Sequence, residues 1–379
     1  MTVPILRTSE RGTFGRCPQQ WWWSWREGLV PKGRADLRLW FGGLVHVALA
    51  EWYCGPGLKR GPHPAETFAR LAEEERGLAF VKTKDATDED VAEYTDAIQL
   101  GVGMLTGYVE RYGRDDYMHV VAPERTFGID VPWPEGRQGV YDVEPGALLV
   151  QYFGTWDLVY RDLRTDWMML GEHKTAKSIQ TGHLKMDNQA GSYWAIATQS
   201  LRREGVLGER ESLRGIEYNF LRKGLPDDRP RDAEGYATNL PVKADYLAAL
   251  RESGHRGADL DKAPMGLLTQ IAFKAGLTVL GARSKVQPPP LFLRHTVHRT
   301  SKERATQLRR IQDEAVHMQT VRDGLLPVTL NPSSMNCMFC PHKTMCELKE
   351  DGGNWEDFKR LNYRVKDPYG DHRKSAAEE

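Results

Sequence analysis

Two stretches of this chain carry side chains able to work on one bond: YFGTWDLVYRD, residues 152–162, and WMMLGEHKTAKS, residues 167–178. Both read as strands, and RDLRTD between them reads as a turn. If that turn is centred between Leu163 and Arg164, an antiparallel hairpin sets Asp157 opposite Leu170. Side chains alternate along a strand, so Leu170, Glu172 and Lys174 share a face and Asp157 joins them. Two carboxylates and an ammonium on one side of a sheet suit metal-assisted hydrolysis of a phosphodiester. Hard cations such as Mg²⁺ or Mn²⁺ take carboxylate oxygens, keep bound waters and make one of those waters a better nucleophile. A lysine beside the ion orients that water or offsets charge growing on the phosphate.

Other residues extend the set. In ADLRLWFGGLVHVALAEWYC, residues 35–54, Leu39, Gly43, His46 and Ala50 share one helical face, so His46 offers a nitrogen ligand, which favours Mn²⁺. Gln189 and Tyr193, four apart in HLKMDNQAGSYWAIATQSL, share a face and can hold a phosphate or sugar without adding charge. Near the other end, NCMFCPHKTMC puts Cys337, Cys340 and Cys346 within eleven residues. A thiolate cage wants a fourth ligand: His342 would complete a zinc knuckle, and Cys17 would tie the two ends of the chain together. Cys54 reads as a small buried hydrophobe. Trp21, Trp22, Trp23 and Trp25 read mainly as packing, and Lys285, Arg294, Arg299, Lys302, Arg304, Arg309 and Arg310 as either a backbone-binding stripe or a solvated face.

The elements that must position these residues follow from periodicity. Residues 1–62 hold Cys17 and the His46 helix, which stops near Gly55; residues 63–116 form a helical insertion in two pieces, the second capped by Thr87. Residues 117–222 read strand, strand, strand, helix, strand. A Gly-, Pro- and charge-rich surface insertion follows over 223–285, with one helix near Gly266 to Ala275. Residues 286–350 supply a last strand, a helix and the cysteine cluster, and 351–379 read as a frayed tail. The fold class is therefore α/β, a mixed central sheet flanked by helices.

Composition sets outer bounds. The 379 residues are 40% hydrophobic and 27% charged, as in ordinary globular proteins, and the formal net charge is zero. Any nucleic-acid contact must therefore lie on a local patch. No stretch reaches about 18 consecutive apolar residues and the start lacks an apolar leader, so no membrane role and a cytoplasmic location are expected. Five cysteines, three of them clustered, favour a metal site over a disulfide framework. No G-x4-G-K-[ST] motif occurs, so a motor would be a separate chain.

In order, GxxxH (Gly42 to His46), GxxD (Gly154 to Asp157), ExK (Glu172, Lys174), Qx3Y (Gln189, Tyr193), one early cysteine and a terminal Cx2Cx5C resemble the PD-(D/E)XK nucleases. The resemblance is to the iron–sulfur members of the RecB-like exonuclease branch, such as the AddB nuclease domain and CRISPR-associated protein four, over about residues 10 to 350. It implies a PD-(D/E)XK core and a [4Fe–4S] cluster on Cys17, Cys337, Cys340 and Cys346. It also implies that His46, Asp157, Glu172 and the backbone carbonyl of His173 bind Mg²⁺ or Mn²⁺, and that Lys174 is catalytic. Where many relatives carry an aromatic or aliphatic residue inside ExK, this chain has His173. The activity implied is a metal-dependent DNA exonuclease acting on single strands or free ends in recombination, repair or CRISPR adaptation. Its partners would be DNA and a helicase, a strand-annealing protein or a CRISPR integrase. The alternatives are a structure-specific endonuclease, the nuclease subunit of a helicase–nuclease complex, or a non-catalytic nucleic-acid-binding protein. Oligomeric state is left open.

Overall fold

The computed structural model describes residues 4–32, 37–54, 57–74, 87–136, 141, 143–144 and 146–370; Gly55 and the last nine residues lie outside them. The chain divides into two compact units, Met1–Lys223 with Phe292–Glu379, and Gly224–Leu291.

The larger unit is built on a mixed sheet. Its axis is β4 (Leu148–Asp162), along one edge of which β3 (Met118–Pro132) runs antiparallel. The other edge is shared. Parallel β1 (Ile5–Arg7) covers Gln151 to Phe153, and antiparallel β5 (Trp167–Ala176) covers Leu158 to Asp162. Residues 154–157 thus face a gap between two strands. Beyond β5 lie parallel β6 (Gly215–Arg222) and antiparallel β7 (Phe292–His298).

Each face of the sheet is closed by helices, because its strands bury side chains on both sides. On one face lie α1 (Thr8–Arg16), α6 (Asn188–Arg203) and α10 (Ser301–Arg322), with Trp194, Ile196, Ile311 and Met318 packed on Tyr152, Trp156, Leu170 and Tyr218. On the other lie α3 (Leu37–Trp52), α4 (Pro64–Glu73) and α5 (Asp88–Tyr112), with Phe41, Val45, Phe68 and Leu105 on Leu158, Tyr160 and Met169. The two pieces expected over 63–116 therefore pack on the His46 helix and the sheet in one core. Thr87 caps α5 in a reciprocal box with Asp90, as its TDED sequence predicts.

The chain's beginning and end meet. After α1 come α2 (Pro18–Trp21) and a π-helical turn, Trp22–Arg26. Trp21 and Trp23 are buried, and Trp23 packs with Leu29, Met345 and Tyr363. The region expected to fray is ordered through residue 370. Helices α11 (Ser334–Met338), α12 (Lys343–Glu350) and α13 (Trp355–Asn362) lead to β8 (Tyr363–Val365), which pairs antiparallel with β2 (Leu29–Pro31). Gly28 permits that return: at φ +63° it lies so close to the Lys366 carbonyl that a Cβ would meet it at 2.4 Å.

The smaller unit carries three helices where its composition suggests one: α7 (Lys243–Glu252), α8 (Ala258–Lys262) and α9 (Met265–Lys274). They enclose a core of Leu250, Ala263, Leu268 and Ala272. Among the described residues no helix is long and apolar enough to cross a membrane.

Candidate active site

The site forms where β4 is bare between β1 and β5. The hairpin register differs from the sequence reading by two residues: Leu158 pairs with Gly171 and Val159 with Leu170, which brings Asp157 level with Glu172. Simple alternation also fails here. Trp156 packs in the core under α6, whereas Leu158, two residues on, packs in the core under α3. The strand coils as it changes partners, and Asp157 stands at the change.

Two glycines of the site motifs lie where helices meet the sheet, Gly42 in ordinary contact and Gly154 as a close approach. A Cβ on Gly42 would touch Thr175 Oγ1 at 3.5 Å, so α3 lies against β5 and carries His46 to the gap. A Cβ on Gly154 would meet Tyr193 Cε1 at 2.5 Å and Phe127 Cζ at 2.7 Å, so glycine lets α6 settle onto β4.

The carboxylates and their partners are close together. His46 Nδ1 lies 3.0 Å from Asp157 Oδ1, and the His173 backbone N–H donates to Asp157 Oδ2 at 2.6 Å. Lys174 Nζ donates to Glu172 Oε1 at 2.6 Å and to Gln189 Oε1 at 3.1 Å; Gln189 Nε2 donates in turn to the Tyr193 hydroxyl at 3.5 Å. Asp187 caps α6 by accepting the Gln189 N–H, which fixes the turn that presents this glutamine. Glu172 is 2% exposed and its Oε2 is buried with no hydrogen-bond partner.

Charge and burial compete at each group. Burial pushes the Glu172 carboxyl up to about 7, although Lys174 pulls it down. Asp157 is also buried, but the charge and hydrogen bond of His46, with the backbone N–H of His173, outweigh burial and hold it below the usual carboxylate range. Conversely, Asp157 raises His46 and Glu172 raises Lys174 against the burial that lowers each. Two nearby carboxylates thus differ, one firmly ionised and one with an unsatisfied buried oxygen, an arrangement a cation completes. Among the described residues no three His, Cys, Asp or Glu side chains already stand in ligating positions.

His173 points to the opposite side of β5 from Glu172 and Lys174, into a buried polar network under α3 and α5, with its ring 6.2 Å from that of His46. Its ring stacks on Tyr53, and its Nδ1 accepts from Asn219 Nδ2 at 2.9 Å. Asn219 Nδ2 also reaches the Tyr108 hydroxyl, which receives Arg294 NH2 at 2.8 Å, and Arg294 clasps Asp115 with bonds of 2.6 and 2.7 Å. Burial lowers His173 to about 4, so its ring is neutral. The histidine inside ExK is therefore a packing group whose own N–H holds the site aspartate.

One residue escaped sequence reasoning. Glu124 stands on β3 between the pairs Pro123–Leu158 and Arg125–Trp156, level with Asp157. Burial, then the charge of Asp157, raise its carboxyl, and its charge in turn raises His46. It lies 33 positions before Asp157 in no recognisable spacing, so only the strand pairing reveals it.

At the other end of the unit, burial raises the Cys340 and Cys346 thiols, and the neighbouring Cys17 and Cys337 raise both further. The N-terminal cysteine and the three C-terminal ones therefore occupy one electrostatic neighbourhood. Asn331 and Asn336 both donate to the Arg16 carbonyl beside Cys17. His342 is fully buried between Trp23 and Tyr363 with Nε2 2.9 Å from Ser24 Oγ, a setting of packing. Cys54 is in neither group. The basic stripe is not continuous: Arg294 is in the buried network, Arg304 lies over the Trp194 ring, and Arg299 and Lys302 line a cleft with Arg310.

The family model of the PD-(D/E)XK nuclease superfamily matches residues 8–347, nearly the whole chain. This protein belongs to that superfamily, and its mixed sheet between helical layers is the corresponding fold. A search of curated proteins returns no match.

Proposed function

We propose that the protein is a metal-dependent deoxyribonuclease working as an exonuclease on single strands or exposed ends. The observation that carries this reading is the ion pair of Lys174 with Glu172, bridged to Gln189 and set beside the Asp157–His46 pair. Asp157, Glu172, His46 and the His173 carbonyl would hold Mg²⁺ or Mn²⁺, a hard-oxygen set with one nitrogen. Such an ion, when bound, neutralises phosphate charge and makes a bound water more acidic. Lys174 is the group placed to donate to a phosphate oxygen as charge develops there, and Gln189 fixes its ammonium without competing for the proton. Tyr193 steadies Gln189.

Depth supports a single strand over a duplex as substrate. The Asp157 side chain is 10% exposed and that of Lys174 28%, so the reacting phosphate must enter a recess. We further propose a [4Fe–4S] cluster on Cys17, Cys337, Cys340 and Cys346, supported by the effect of Cys17 and Cys337 on the half-buried Cys340 and Cys346 thiols and by the resemblance of their spacing. The cellular setting is recombination, repair or CRISPR adaptation, with a helicase, strand-annealing protein or integrase as a separate partner.

The test compares linear with circular single-stranded DNA of one sequence, in Mn²⁺ at low salt. Progressive shortening of the linear strand with a resistant circle is the expected result. Equal cleavage of both would replace the exonuclease by an endonuclease and leave the metal-site assignment standing.

A further inference from the structure

Beside the turn that carries Gln189 is a cleft of about 240 Å³ whose walls are strongly cationic. Lys185 comes from the 3-10 turn Leu184–Met186, while Arg299, Lys302 and Arg310 come from the junction of β7 with α10. The cleft has one carboxylate, Glu303, and that group is already engaged: it accepts the Thr300 N–H at 2.6 Å and hydroxyl at 2.9 Å. Those bonds, with burial opposing them, hold Glu303 below its usual range. Four cations thus face one anion committed to a helix cap.

The cations are tied to the catalytic turn itself. Arg299 NH2 donates to the carbonyls of Leu184 and Asp187 at 3.2 and 3.4 Å, and its Nε is buried with no partner. Arg310 NH1 donates to Asn188 Oδ1 at 2.6 Å, next to Gln189. Lys185 and Lys302 have no ion-pair partner among the described residues. An oxyanion in the cleft would meet these charges, and it would be held at a fixed offset from Lys174 through the Asp187 to Gln189 turn.

We propose that this cleft binds a phosphate of the substrate strand adjoining the one being cleaved, so that the strand is gripped at two points and its register at the catalytic lysine is set. The inference rests on the nuclease reading above. It assigns to Lys185, Arg299, Lys302 and Arg310 a substrate-binding role separate from the metal and Lys174 chemistry.

The variant Lys185→Gln/Lys302→Gln tests it, because both side chains lack ion pairs and their loss leaves the fold intact. With Mn²⁺, the variant should raise KM for a single-stranded oligonucleotide about tenfold and leave kcat within twofold. Equilibrium binding in Ca²⁺ should show a slope of log K against log salt smaller by about 0.7, one phosphate contact on a single strand. Strands with a 5′-phosphate, a 3′-phosphate or neither distinguish an internal phosphate, for which all three weaken alike, from a terminal one, for which the phosphorylated strand alone weakens. An unchanged KM and salt slope for all three strands would overturn the cleft assignment. If the unsubstituted protein neither binds nor cuts any strand, the nuclease reading has failed instead.

Discussion

In the proposed reaction Lys174 is the side chain on which the chemistry turns, and its removal should separate binding from cleavage. Lys174→Ala is expected to slow phosphodiester cleavage by about 10² to 10³, the cost of losing one donor to developing charge, with DNA affinity in Ca²⁺ changed less than about threefold. Single-turnover cleavage beside equilibrium binding reads both. Glu124→Gln should act more gently. One charge near the ion contributes about 1 kcal/mol in water, so the Mn²⁺ concentration for half-maximal activity should rise by about fivefold while the rate at saturating Mn²⁺ holds. His173→Leu, which restores an aliphatic residue inside ExK, deprives buried Asn219 of a partner at a cost of about 1–3 kcal/mol. Its backbone N–H still holds Asp157, so the expected outcome is a melting temperature lower by several degrees with cleavage reduced less than about tenfold. A collapse of activity at full stability would show that the ring matters to chemistry directly.

At the scale of elements, the strands and long helices were legible because their signals are local. Thr87 with Asp90 and Thr300 with Glu303 are capping boxes visible as text, and β3 to β6 show as runs rich in aliphatic, β-branched and aromatic residues. The two-residue error in hairpin register, by contrast, lies in the turn: Asp162 pairs with Trp167, so the hairpin is centred between Arg164 and Thr165, with Asp166 at φ +58°, and Asp157 comes level with Glu172. The order of the tail after Trp355 was equally hidden, since it depends on Tyr363 and Trp355 finding Trp23 and Leu29 from the far end of the chain. Cys17's nearness to Cys340 and Cys346 came from a resemblance, and the His173 network from neither. Gly154 marks where packing and site meet. Gly154→Ala should destabilise by about 1–3 kcal/mol through the clash with Tyr193 and Phe127, and lower kcat by displacing α6 and Gln189 with it. Urea denaturation and steady-state kinetics measure the two effects; an unchanged kcat would show that α6 yields without moving the glutamine.

For the molecule as a whole, the proposed cluster joins ends that other contacts also join. Buried Arg11 pairs with Glu314, and Glu10 with Arg322, so α1 is clamped to α10 without help from the cysteines. Anaerobically purified protein should be brown with about four irons per chain. Cys17→Ser should bleach it and lower the melting temperature by a few degrees, leaving the sheet folded because those ion pairs and the β2–β8 pairing persist. Cys54→Ser should keep the colour. Colourless anaerobic protein with stoichiometric zinc would assign the thiols to zinc.

The meeting of β2 with β8, and of Trp23 with Met345 and Tyr363, also fixes a timetable. During synthesis the tryptophan-rich segment leaves the ribosome about 320 residues ahead of Met345 and Tyr363, which bury it. At roughly 5–20 residues per second that interval is on the order of tens of seconds, during which large apolar rings have no native cover. The tryptophan-bearing turn is therefore completed only when β8 has been made.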